Sequence, residues 1–194
     1  MRSRAATLSG PPSGSAAPPS KAQLLASKNK GIRDVIAPGL RVLFVGINPG
    51  LYTAWTGHHF ARPGNRFWPT LHLAGFSNKQ LHPSEQAELL HDGYGITNLV
   101  NRATATADEV EPAEFVAGRK RLAAKVRKYR PKVVAFLGVG AYCHGFGLKS
   151  APIGRQAERF EDALVWVLPN PSGLNANYQL PELVRLFSAL RTAA

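Results

Sequence analysis

The stretch RVLFVGINPG at residues 41–50 decides the fold. Its first half is an unbroken apolar run without polar alternation, and it ends abruptly in Asn, Pro and Gly. A strand buried on both faces that feeds straight into a loop has this form. KVVAFLG at 132–138 and ALVWVLP at 163–169 repeat the pattern, and YGITNLV at 94–100 is a shorter, β-leaning version. Helical signals lie between these runs. In GNRFWPTLHLAG at 64–75, Phe67, Trp68, Leu71 and Ala74 fall at helical spacing, with Pro69 near the start, where it is tolerated. EPAEFVAGRKRLAAKVRKYR at 111–130 has acids in its first turn, bases in its last and Pro131 as a stop. A short helix over 139–147 and a closing helix over 181–191 complete the series. Strands alternating with helices require parallel crossovers, which predicts a three-layer α/β/α sandwich around a short, mostly parallel central sheet.

Composition narrows the class further. With 194 residues, 44% of them hydrophobic and 19% charged, the chain suits one well-buried globular domain. The lone Cys143 cannot close an internal disulfide or supply a Cys-rich metal site, which points to a reducing compartment. No apolar run approaches membrane-spanning length, and the opening residues lack a signal-peptide pattern. The expectation is a soluble cytoplasmic protein, nucleoid-associated in a bacterium. A formal charge of +12 favours a polyanionic partner. Residues 1–30, with five bases, no acid and much Ser, Pro, Gly and Ala, read as a disordered basic tail, leaving 31–194 as the folded domain. Residues 118–132 carry eight bases and no acid, a pattern that a solvated helix face also produces.

Two strand-to-loop segments hold the chemistry: GINPGLYTAWTGHHFARPGNRFW at 46–68 and LPNPSGLN at 168–175. In a parallel sheet both loops lie at the carboxyl ends of strands, where ligands bind. Neither carries a phosphate-loop or dinucleotide fingerprint, so a nucleotide cofactor has little support.

These loops resemble those of the uracil-DNA glycosylase superfamily, and within it the mismatch-specific uracil-DNA and thymine-DNA glycosylases. The resemblance rests on Gly46-Ile47-Asn48-Pro49-Gly50-Leu51, on FARPGNRFW from Phe60 to Trp68, and on Asn170-Pro171-Ser172-Gly173-Leu174, and it spans roughly residues 34–190. It implies a monofunctional hydrolase of base excision repair. Such an enzyme flips uracil, and in some members thymine or a modified pyrimidine, out of a mismatch with guanine in double-stranded DNA (G·U or G·T). It then cuts the base from its deoxyribose by water attack and leaves an abasic site. The resemblance implies no metal or other cofactor and a monomer without membrane contact. By the same resemblance Asn48 orients the water, Ile47 and Phe60 hold the base, Asn170 lies beside the pocket, and the Gly173-Leu174 region wedges into the duplex. Tyr52 and Thr53 are expected to line the pocket, and Ser172 and Asn175 to contact DNA. Thr53 stands where smaller residues are typical, which counts against thymine.

The residue types agree with this chemistry. Flipping costs a few kcal/mol, least at a mismatch, and an apolar plug such as Leu174 can fill the gap. Stacking on Phe60 can return about 1–3 kcal/mol. Asn48 can accept and donate hydrogen bonds but is no strong base, so the enzyme should be slow. That weakness nominates Asp92, in LLHDGYG, as an auxiliary catalytic residue, against the plainer reading of a turn aspartate. His58 and His59 read as loop contacts rather than metal ligands, Trp68 as core, and Asn65 and Arg66 as either DNA contacts or a cap and a surface ion pair. Two other readings fit the same residues: a superfamily glycosylase of different base specificity, and a module that binds mismatches without cutting.

Overall fold

The computed structural model describes residues 18–194. Five strands, β1 (Val42–Gly46), β2 (Tyr94–Asn98), β3 (Val133–Leu137), β4 (Gly154–Phe160) and β5 (Ala163–Leu168), form one sheet in the order β2-β1-β3-β5-β4. The first four in that order run parallel and only β4 is antiparallel, as the hairpin partner of β5. Every residue of β1, β2 and β3 is buried, which explains why the sequence shows apolar runs instead of alternation.

The helices cover both faces. Val42 and Phe44 of β1 point to one side, where α3 (Phe67–Leu73) and α6 (Leu180–Ala193) pack through Phe67, Leu71, Leu183 and Phe187. Leu43 and Val45 point to the other, against Phe115, Leu122 and Val126 of α4 (Pro112–Tyr129) and Tyr142 of α5 (Val139–Phe146). The connection from β1 to β2 thus leaves over one face and that from β2 to β3 over the other. This places a topological switch point at the carboxyl ends of β1 and β3. At Gly118 a Cβ would lie 2.2 Å from the Leu99 carbonyl, so only glycine lets α4 sit directly on the segment leaving β2.

Three elements differ from expectation. Composition extends the basic tail to residue 30, yet Ser20 caps α1 (Lys21–Leu25) in a capping box with Gln23. Residues 29–30 then exchange backbone hydrogen bonds with Ala103 (2.9 and 3.0 Å), which anchors this part of the tail on the domain. Residues 1–17 lie outside the described residues. Leu51–Thr56 forms a further short helix, α2, directly after Gly50. The edge strand β4, GRQAERF, escapes a search for apolar runs because its solvent side is charged. No helix among the described residues is long and apolar enough to cross a membrane.

Candidate active site

A cleft of about 440 Å³ opens at the switch point. Its walls come from the ends of four strands and the loops that follow: Ile47 and Asn48 after β1, Asn98 closing β2, Leu137 closing β3, and Asn170 after β5. Thr53, Phe60, Ser172, Leu174 and Asn175 complete the part that the sequence nominated. A second hollow of about 560 Å³, floored by Gly138–Ala141, adjoins it and shares Ile47, Asn170 and Asn175.

Asn48 is held by its amide nitrogen. Nδ2 donates to the Arg102 carbonyl (2.9 Å), to Thr104 Oγ1 (2.7 Å) and more weakly to the Pro49 carbonyl (3.3 Å). Thr104 Oγ1 spends its own proton on the Thr106 carbonyl (2.6 Å), so towards Asn48 it acts only as an acceptor. Every hydrogen bond of the Asn48 side chain among the described residues therefore runs through nitrogen, and Oδ1 keeps its accepting capacity for something in the cleft.

Phe60 sits in the left-handed region (φ 54°) and stacks on Phe67 with ring centroids 4.0 Å apart. The aromatic floor is thus fixed in place by the core beneath it. His59 beside it is buried, 1% exposed, and its Nε2 meets the Arg33 carbonyl at 3.0 Å. Burial pushes its pKa down to about 4, so the ring is neutral at pH 7, with the proton on Nε2. Trp68 packs below and donates Nε1 to the His59 carbonyl (3.0 Å), a core role as the sequence suggested. His58 contacts Gln86.

Sequence reading missed Asn98. In GITNLV it looked like one more strand residue, yet it is 7% exposed, lines the cleft, and its Nδ2 is buried without a partner among the described residues. An unpaired buried amide is costly unless a ligand satisfies it. Its placement needs Gly46, because a Cβ there would lie 2.6 Å from Asn98 Oδ1 and 3.3 Å from Phe60 Cζ.

Leu174 is 73% exposed at the mouth, an unusual position for a large apolar side chain on a loop. Its loop is rigidly built. Ser172 N–H bonds Asn170 Oδ1 (3.1 Å), and Asn175 Nδ2 bonds the Asn170 carbonyl (2.9 Å). Gly173 lies against Gly64, whose carbonyl would be 2.5 Å from any Cβ. Asn175 also accepts from Asn177 N–H (3.1 Å), so its side chain is occupied within the loop.

Arg66, read as a DNA contact or an ion pair, makes no ion pair among the described residues. Its guanidinium spans the loop, donating to the carbonyls of Ser172, Asn175 (2.7 Å) and Tyr178 (2.7 Å) and to Gln179 Oε1 (3.1 Å). Asn65 Oδ1 accepts from Phe67 N–H (2.9 Å) at the start of α3, the capping alternative.

Gly173 does not itself line the cleft, and Tyr52 and Asp92 fall outside it. Tyr52 projects from α2 and packs on Trp55 (centroids 5.6 Å), while its neighbour Thr53 turns inward. Asp92 is exposed in the turn that precedes β2, with its N–H on the Leu89 carbonyl (3.2 Å). That turn is at the amino end of the strand and the cleft is at the carboxyl end, roughly 20 Å away for six extended residues. Asp92 is thus corrected to a turn aspartate. Among the described residues no group of three His, Cys, Asp or Glu side chains converges to hold a metal ion.

A doubly wound sheet with a cleft at its switch point defines an α/β protein of the kind whose ligand sites lie at strand ends. The profile of the uracil DNA glycosylase superfamily matches residues 33–191, and the chain belongs to that superfamily. The fold is similar to a candidate uracil-DNA glycosylase from Methanosarcina acetivorans solved by solution NMR, with TM-score 0.55 and 18% identity over 84% of this chain and 98% of that one.

Proposed function

We propose that the protein is a monofunctional DNA glycosylase that excises uracil mispaired with guanine in duplex DNA. The observation that carries this reading is the presence, in one cleft, of two asparagines with complementary free capacity. Asn48 has an unused carbonyl oxygen and Asn98 a buried, unpaired amide nitrogen.

A flipped pyrimidine stacked on Phe60 brings its polar edge towards Asn98. The amide donates to the 4-carbonyl and accepts from N3–H, which suits uracil. As the glycosidic bond stretches, the sugar gains positive charge and the base negative charge. A donor already in place at the base oxygen stabilises that charge without reorganisation. Asn48 Oδ1 accepts a hydrogen bond from the attacking water and aims its lone pair at the anomeric carbon. Water adds there, the base leaves with the bonding electrons, and the attacking water's proton passes to solvent.

Leu174 fills the gap left in the base stack, and the chain's excess positive charge holds the phosphates. No lysine lines the cleft, which argues against Schiff-base strand cleavage. Thr53, 7% exposed in the wall, disfavours the added methyl of thymine.

The test is single-turnover excision from labelled G·U, G·T and A·U duplexes and from single-stranded uracil DNA. Release from G·U ahead of the others supports the proposal. Equal release from single strands, or preference for a purine lesion, indicates another specificity. Asn48 cannot act as a strong base, which favours a second reading, binding without cutting, and absence of product under enzyme excess would establish it.

A further inference from the structure

Resting on that reading, we propose that Arg102 is a positioning residue for excision: its side chain locks the backbone carbonyl that sets the orientation of Asn48. Arg102 lies outside both motif loops and its guanidinium points away from the cleft, towards α4 and the amino-terminal segment.

The lock has two ends. On the cleft side, the Arg102 carbonyl takes one of the two shortest hydrogen bonds from Asn48 Nδ2 (2.9 Å). On the outer side, Nε and Nη2 grip both oxygens of Glu114 as a fork (2.8 and 2.7 Å). Nη2 also reaches the Glu109 carbonyl (2.9 Å), and Nη1 reaches Asn29 Oδ1 (3.2 Å). Glu114 is fixed in turn by the Glu111 N–H at the start of α4 (3.0 Å).

The Arg102 side chain thus ties its own carbonyl, which holds Asn48, to the amino end of α4 and to the segment behind α1. Backbone bonds between Asn29, Lys30 and Ala103 add a parallel tie. The pair is only partly exposed, 30% and 28% at the side chains. Bidentate arginine–carboxylate geometry is directional in a way a lysine cannot copy.

The consequence concerns chemistry and not DNA affinity. With the carbonyl in place, Asn48 presents Oδ1 to the water. With the carbonyl loose, only Thr104 Oγ1 and the weaker Pro49 bond hold the amide, and Oδ1 loses its fixed aim at the water. Small misplacements of a group that orients a nucleophile cost up to about 100-fold.

The experiment is a double-mutant cycle on G·U duplex under single turnover, using the full chain. Arg102→Ala and Glu114→Gln are each made alone and with Asn48→Ala, and folding is checked by thermal midpoint. Glu114→Gln keeps shape and one acceptor, so it serves if Arg102→Ala fails to fold. Arg102→Ala is expected to slow excision by about 10- to 100-fold, and Glu114→Gln by less. Binding to a duplex with a non-hydrolysable 2′-fluorodeoxyuridine opposite guanine should stay within about twofold. In the Asn48→Ala background neither substitution should slow excision further, beyond the same margin of about twofold. Arg102→Lys should recover little.

Multiplicative losses on top of Asn48→Ala, or wild-type rates in folded Arg102→Ala, would overturn the proposal. Failure of the wild type to excise at all would instead sink the glycosylase reading on which it rests.

Discussion

Asn98 occupies the space that a side chain on Gly46 would need: an added Cβ would stand 2.6 Å from Asn98 Oδ1. The two residues are register partners on adjacent parallel strands, so neither can retreat along its backbone. Gly46→Ala must therefore push the Asn98 amide or the Phe60 ring off position. We expect about 1–3 kcal/mol of destabilisation from overpacking. Uracil excision should fall by more than that loss of folded protein explains. Denaturant melts and single-turnover rates on the same preparation check both parts.

Leu174→Ala separates wedge from fold. The side chain is 73% exposed, so its removal should leave the thermal midpoint nearly unchanged. Excision from G·U duplex should drop by at least about tenfold, while single-stranded uracil, which needs no gap filled, should be cut at close to the wild-type rate.

Arg66→Ala tests the brace behind that wedge. Four acceptors on the 172–179 segment lose their donor at once. The expected result is faster amide hydrogen exchange confined to this segment, together with a duplex-selective loss like that of Leu174→Ala. Exchange that rises across the whole domain would mark Arg66 as a general stabiliser instead.

His59 gives a pH prediction of definite sign. Its imidazole takes a proton near the ordinary pKa of 6.5 in the unfolded chain but only near 4 in the fold. Between these values the unfolded state binds the extra proton, so this contribution to stability is complete above pH 6.5 and is lost as pH falls towards 4. His59→Gln keeps an N–H for the Arg33 carbonyl and removes the titration. Its thermal midpoint should fall less than that of the wild type between pH 7 and pH 5, and neither protein should show a His59 inflection in activity above pH 6.5.

Most of the scaffold is legible in the sequence because its strands are buried on both faces. Runs such as VLFVG and VVAFL can hardly be anything but central strands. The edge strand β4 is not legible, since its charged outer positions mask its pairing with β5. Ser20 and Gln23 do spell a capping box, but in a background of Pro, Ser and Ala that composition alone assigns to a tail. Asn48, Phe60 and Leu174 stand out because they follow strands within unusual loops. Asn98 does not, because its environment depends on Gly46 and Phe60, far away in the chain. The bracing contacts of Arg66 and Arg102 are not legible for the same reason: the partners of Arg66 are more than 100 positions away, and Arg102 meets Asn48 through its backbone carbonyl. Asp92 misled in the opposite direction. Nearness to a strand in sequence does not say which end of the sheet a residue occupies.

Asn48 is proposed to position the water that cuts the glycosidic bond. The most direct measurement is single-turnover excision of uracil from a labelled G·U duplex by wild type, Asn48→Ala and Asp92→Asn, with folding and duplex binding verified for each. Asn48→Ala is expected to lose at least about 100-fold in rate while still binding DNA, and Asp92→Asn to excise at the wild-type rate. Wild-type excision by Asn48→Ala, or its loss in Asp92→Asn, would overturn the role of Asn48.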